Sequence, residues 1–287
     1  MFDTLPLWSD MTDFNHKTTQ LLHAARHGRI GARQFENALP GIAGQIRKDA
    51  ESDCFQHWAR SLNIDKLERK QIVDPKLLTV IGRLSGIPIR DGQTYHAGLI
   101  HTYGYLLSQL KTQFGFKRER WTSGVIESGL GTAPGTFSPT SQQGTLLQNA
   151  TYLLLNLSHR SEPDGQQWHS AFNCLAPSLL NFDFTKIPIQ RIRERVQPNS
   201  RSSPIELFTD LAMFRRTTQT SAALLVYSCR EGRQQQQLVT CFPVNRKTVD
   251  ELLDEACRND TPIRPRHNLY LDSLPPEGMP GKREVVA

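Results

Sequence analysis

Between residues 41 and 63, "GIAGQIRKDAESDCFQHWARSLN", the apolar side chains Ile42, Ile46, Ala50, Cys54, Trp58 and Leu62 recur every four residues, with Phe55 alongside. That spacing predicts an amphipathic helix with one stripe turned to a core. A second helix is signalled over "DPKLLTVIGRLSG", where Asp74 can cap the start, Pro75 suits the first turn and Gly86 can end it. Ahead of both, "DFNHKTTQLLHAARHG" reads as a shorter helix stopped by Gly28. The first 90 residues are therefore expected to be mainly helical.

From about residue 94 the period changes. Tyr95, Ala97, Leu99, His101, Tyr103 and Tyr105 share one face of an extended chain, and His96, Gly98, Ile100, Thr102 and Gly104 the other, which predicts a strand. Phe114, Phe116, Arg118 and Arg120, alternating with Lys117, Glu119 and Trp121, read as its hairpin partner. A Gly, Ser, Thr and Pro-rich loop follows from Gly129 to Gly144, and loops of that length inside compact domains are disproportionately functional. "TLLQNATYLLLNLS" fits helix or strand, with strand preferred.

Further on, Ser203 with Glu206 three residues later and Pro204 between them predicts a capped helix over "SPIELFTDLAMFRR". "TSAALLVYSCREGRQQQQLVTCFPV" predicts two strands turning at Glu231 and Gly232. Thr248 with Glu251 opens a helix through Cys257, "IRPRHNLYL" adds a final strand, and residues 274–287 are expected to form a flexible, fraying tail. Helices first, antiparallel strands later and few β-α-β alternations give an α+β fold: an N-terminal helical region followed by a mainly antiparallel sheet with packed helices. One domain over residues 1–273 is expected, helical to residue 90 and sheet-rich from 91 to 273, with no internal repeat or linker.

Charge and cysteine content narrow the function classes only slightly. A formal charge of +6 permits an anionic partner, but the basic residues are spread along the chain without a long cationic block. The five cysteines, Cys54, Cys174, Cys229, Cys241 and Cys257, are odd in number and form no CxxC pair, so neither a disulfide framework nor a zinc site is suggested. No segment approaches the ~18 apolar residues of a membrane span, and the acidic N-terminus lacks a leader pattern, so a cytoplasmic protein without membrane partners is expected.

Absent motifs remove several chemistries. There is no glycine-rich phosphate loop, no GxSxG elbow and no HExxH helix, so no cofactor or metal is called for. His23 and His27 stand four apart on a helix but lack a third ligand in pattern. What remains is the stretch "YHAGLIHTYGYLLSQLKTQFGFKRERW", where an imidazole among aromatics, desolvated and therefore neutral, could orient a substrate or shuttle a proton, or simply bond a backbone carbonyl in the core. Arg118 and Arg120 beside aromatic rings suit an aromatic carboxylate or a nucleobase, or an exposed sheet face.

"HTYGYLLSQLKTQFGFKRERW", with "FSPTSQQGTLLQNATYLL" and "LLVYSCREGRQQQQLVTCFPV", resembles the bacterial marinacarboline-type Pictet–Spengler cyclases, which build β-carbolines from L-tryptophan and an aldehyde. The resemblance spans roughly residues 75 to 270. It implies that His101, Thr122 and Ser221 line an aromatic amino-acid pocket and that Arg83 or Arg90 clamps the substrate carboxylate. It also implies small-molecule substrates, no cofactor and a homodimer.

One position departs from that family pattern, because Lys111 stands where a catalytic carboxylate is implied, ten residues after His101. Ring closure needs a base to remove a ring proton, a task for which protonated lysine is unsuited. Three readings stay open: Glu119 or Glu127 substitutes from a neighbouring position, a desolvated Lys111 works as base or Schiff-base nucleophile, or the protein performs a related condensation without that step. A different class of function, an RNA-binding or ribonuclease-like protein, rests on the basic stretches "FGFKRERW" and "IQRIRERV".

Overall fold

The computed structural model describes residues 7–87, 94–140, 143–158, 172–199, 202–215, 221–258 and 261–286. Its centre is a five-stranded antiparallel sheet in the order β10-β9-β8-β7-β11, built from β7 (Ile189–Val196), β8 (Ile205–Met213), β9 (Ala223–Glu231), β10 (Gln237–Val244) and β11 (Gly281–Val286). The N-terminal part supplies α1 (Leu7–Arg26), α2 (Ala32–Ala38), α3 (Pro40–Ala50) and α4 (Pro75–Ser85). The fold is α+β, with helices concentrated toward the N-terminus. No helix among the described residues is long and apolar enough to cross a membrane.

Both faces of the sheet are covered, because alternate residues on each strand point to opposite sides. Ala212, Leu224, Val226, Leu238 and Cys241 join a core with the N-terminal helices and with α7 (Leu146–Ser158). On the other face Leu207, Leu211, Leu225, Tyr227 and Val244 pack with Val249 of α9 (Arg246–Ala256) and with Ile263, Leu269 and Leu274 of the C-terminal segment. The sheet thus lies between two apolar layers, the layout expected when each face must be removed from water.

Short elements tie the helical part to the β10 edge. After a 3-10 turn at Asp53–His57, the Ala59 N–H donates to the Leu238 carbonyl at 2.8 Å, and the chain continues as β1 (Arg60–Leu62), paired with β4 (Thr94–His96). A hairpin of β2 (Ile64–Asp65) and β3 (Lys70–Gln71) follows, and later a second one, β5 (Lys111–Thr112) and β6 (Gly115–Phe116). The other α-helices among the described residues include α5 (Ala97–Leu99), α6 (Val125–Leu130) and α8 (Pro177–Leu180).

Several local expectations hold. The Asp74 side chain accepts from the Lys76 N–H, Pro75 opens α4, and Gly86 ends it at φ 69°, the left-handed region that glycine enters most easily. The two strands turning at Glu231 and Gly232 are β9 and β10. The helix through residue 256 is α9, capped by Asn245 rather than by Thr248.

Other expectations are corrected. The strand expected over residues 94–105 stops at His96, where α5 begins and runs into a π-helical turn, Ile100–Gly104. The stretch from Leu146 to Ser158 is a helix rather than a strand. Both are buried on nearly every side, and a helix without a wet face has no apolar stripe for sequence periodicity to reveal. Conversely the helix expected after Ser203 is β8, whose carboxylates Glu206 and Asp210 are held by Arg193, Arg230 and Arg191 of neighbouring strands.

The long helix over residues 41–63 ends at Ala50, and the hairpin around residue 114 is shorter than expected. "IRPRHNLYL" forms no strand; Ile263 and Leu269 make isolated bridges only. The expected fraying tail contains β11, paired with β7 along its whole length.

Candidate functional site

The π-helical turn is the first unusual local feature. The Tyr105 N–H reaches back five residues to the Ile100 carbonyl, which rotates the following side chains relative to an ordinary helix. The His101 carbonyl accepts instead from the buried Trp121 indole Nε1 at 2.8 Å. This anchors Trp121, and with it the turn Lys117–Glu119 and Arg120, against the helix.

The anchored turn delivers two cations to the interior. Lys117 Nζ lies 2.9 Å from Asp65 Oδ2, donates to Tyr105 Oη at 3.4 Å and sits 5.0 Å from the centre of that ring. Burial pushes the Asp65 carboxyl up, but the Glu68 and Leu67 N–H groups and Lys117 outweigh it and hold the acid below its usual range. The Arg120 guanidinium lies between the Tyr105 ring at 5.6 Å and the Phe242 ring at 5.2 Å, and Nη1 donates to the Cys241 carbonyl at 2.9 Å. Among the described residues no carboxylate pairs with Arg120, which is only 5% exposed.

Two histidines complete this cluster. His101 is buried, with Nε2 3.2 Å from Ser61 Oγ, its ring edge-on to Tyr105 at 4.9 Å and Nδ1 without a hydrogen-bond partner among the described residues. Burial, then the charges of Lys117 and Arg120, hold its pKa well below the usual value, so the imidazole is neutral. His267 packs edge-on to Tyr227 and Phe242, at 4.9 and 5.0 Å. Burial, with Arg266 and Lys117, lowers its pKa to about 3. It and Asn268 hold φ values of 49° and 68°, consecutive left-handed residues of two types that tolerate that region better than most.

Buried positive charge without a counter-ion is expensive unless a ligand or dipoles compensate it. Beside Arg120 opens a cleft of about 370 Å³, within the size range of small-molecule pockets. Its walls include Phe114, Phe116, Glu119, Arg120, Ser221 and Asn245, contributed by the β5–β6 hairpin, the turn after it, the entry to β9 and the exit of β10. An arginine, a glutamate and two phenylalanines among the lining residues suit a flat ring carrying an acid group.

The residues singled out from the sequence fall at different distances from this cleft. Glu119 and Ser221 line it. Thr122 precedes the lining residue Ser123 and donates to the Arg118 carbonyl at 3.3 Å. His101 belongs to the buried cluster behind Arg120, the two sharing the Tyr105 ring.

Of the other four, Lys111, Glu127 and Arg83 are not among the cleft's lining residues. Lys111 is exposed on β5, its ammonium 5.6 Å from the centre of the Phe116 ring. Glu127 is buried in α6, where Oε1 accepts from the Phe137 N–H at 3.4 Å and burial raises its pKa. Arg83 is exposed on the last turn of α4. Arg90 lies outside the described residues.

Sequence reading set Arg120 beside aromatic rings, although the rings are Tyr105 and Phe242 rather than Phe114 and Phe116. It missed Lys117, Asp65 and His267, which converge from a hairpin, a turn and a C-terminal loop with no shared motif. No protein-family model, curated protein or solved structure matches the chain.

Proposed function

We propose that the cleft binds an aromatic amino acid, tryptophan-like in shape, and condenses it with an aldehyde or related carbonyl compound by Pictet–Spengler chemistry. The observation that carries this reading is that Glu119 and Arg120, the latter without a carboxylate partner among the described residues, line one cleft with Phe114 and Phe116.

In this reading Arg120 takes the substrate carboxylate. The phenyl rings flank the indole. The substrate amine adds to the aldehyde carbon, water departs and an iminium ion forms. The indole ring carbon then attacks the iminium carbon to close the new ring, and Glu119 removes the proton left on that ring carbon, restoring aromaticity. Glu119 is favoured over Lys111 because it lines the cleft, and over Glu127 because that carboxyl is buried against the Phe137 backbone.

The nucleic-acid alternative draws less support. Of the arginines in β7, Arg191 and Arg193 are engaged by Asp210 and Glu206, which leaves Arg195 as the exposed one. Lys117 and Arg120 of the other basic stretch are buried and not positioned to follow a phosphate backbone. Incubating the purified protein with L-tryptophan and an aromatic aldehyde tests the proposal. A protein-dependent product with the mass of the two substrates less one water is expected, with its new ring carbon–carbon bond visible by NMR; only the spontaneous background would refute the reading.

A further inference from the structure

The two edges of the central sheet are treated differently. At β10 the Leu238 carbonyl accepts from Ala59 and the Cys241 carbonyl from Arg120, so that edge is capped by the chain itself. At the other edge β11 pairs with β7 on one side, and among the described residues no backbone hydrogen bond reaches its outer side. An open edge is a template for another strand. Val285 and Val286, 45% and 37% exposed, lie on it.

The charges along the edge indicate what covers it. Lys282 faces Arg195 directly across the β7–β11 pair, and among the described residues neither has a carboxylate partner. Like charges directly opposite one another destabilise a strand pair. Two residues further along, on the same face, stands Glu284, whose Oε1 accepts from Arg193 Nη1 at 3.1 Å while its side chain stays 55% exposed, leaving Oε2 open to a partner strand. A strand carrying a lysine and a glutamate two apart is complementary to itself when paired antiparallel about a two-fold axis.

We propose that β11 pairs antiparallel with β11 of a second copy of this chain, joining the two five-stranded sheets into one. Residues directly opposite must share a face, so the axis passes through a residue position rather than between two. Centred on Arg283, the pairing sets Lys282 against Glu284 of the partner subunit, twice by symmetry. Centred on Glu284 it would oppose two carboxylates. Arg283 tolerates the axis because it is turned to the other face, held by Glu194 and by the Thr261 and Pro262 carbonyls. Val285 then lies over the partner's Gly281. This pairing is independent of the chemistry proposed for the cleft.

Sedimentation velocity across nanomolar to high-micromolar concentration tests the idea. The wild-type chain should pass from its 32.5 kDa mass to twice that value as concentration rises. Lys282→Glu, which leaves the Glu284–Arg193 bond in place, should remain monomeric, and the double exchange Lys282→Glu with Glu284→Lys should restore the dimer. Hydrogen exchange on the unmodified protein gives an independent reading: amides of residues 281–286 should exchange more slowly at the dimeric concentration. A wild-type chain that stays monomeric throughout, or a dimer that survives Lys282→Glu without protection of these amides, overturns the proposal.

Discussion

The Arg120 guanidinium donates to the Cys241 carbonyl at 2.9 Å, joining a residue of the segment after the β5–β6 hairpin to the edge strand of the sheet. One side chain therefore does two things. It satisfies a carbonyl that an edge strand would otherwise leave open, and it fixes a buried positive charge beside the cleft that Arg120 lines.

Replacing Arg120 by methionine should separate these roles. Affinity for L-tryptophan should fall about 10- to 100-fold, the loss expected for one charged hydrogen-bonding partner. Affinity for tryptamine, which lacks the carboxylate, should change much less. Isothermal titration calorimetry reads both. The variant should still fold, because removing a buried charge with no carboxylate paired to it among the described residues offsets the lost carbonyl bond.

The close approach of Trp58 to Gly98 sets a second expectation. A Cβ at Gly98 would lie 2.9 Å from the Trp58 ring, and that indole cannot yield easily because Nε1 donates to Thr151 Oγ1. Gly98→Ala should destabilise the protein by about 1–3 kcal/mol in urea unfolding. Gly44→Ala, on α3 with open space around the added carbon, should instead stabilise it by roughly 0.5–1 kcal/mol.

How much of this was legible in the sequence depended on whether an element kept a wet face. The helix opened by Asp74 and Pro75 and closed by Gly86 was readable because its signals are local. The β9–β10 pair was readable because a polar turn divides two apolar runs. The π-helical turn around His101 was not, since Ile100 to Gly104 are all buried and their aromatics alternate by coincidence. In β8 the alternation of Ile205, Leu207, Thr209 and Leu211 was present but hidden by a capping-box pattern and by carboxylates that the fold pairs with distant arginines. Glu119 and Ser221, both singled out from the sequence, line the cleft, whereas His267 and Asp65 carry no local signal that could have linked them.

A third prediction concerns Asp49, fully buried and accepting from Tyr103 Oη at 2.5 Å, from Thr145 Oγ1 and from Gln148 Nε2 at 3.0 Å. Burial raises its pKa from 3.8 to about 6, so the native state binds a proton more tightly than the unfolded chain. Stability attributable to this group is therefore lost as pH rises from about 4 through 6. Asp49→Asn should gain on the wild type by about 3 kcal/mol over that interval, whatever its offset at low pH. Urea midpoints of both proteins at pH 4 and pH 7 would show it, and parallel curves would place the carboxyl in a more polar setting.

The most direct test of the proposed chemistry is the turnover rate of Glu119→Gln with saturating L-tryptophan and aldehyde. If Glu119 removes the ring proton, kcat should fall by about 10²- to 10⁴-fold, while KM for tryptophan stays near the wild-type value because the Arg120 contact is untouched. An unchanged kcat in Glu119→Gln would contradict the account.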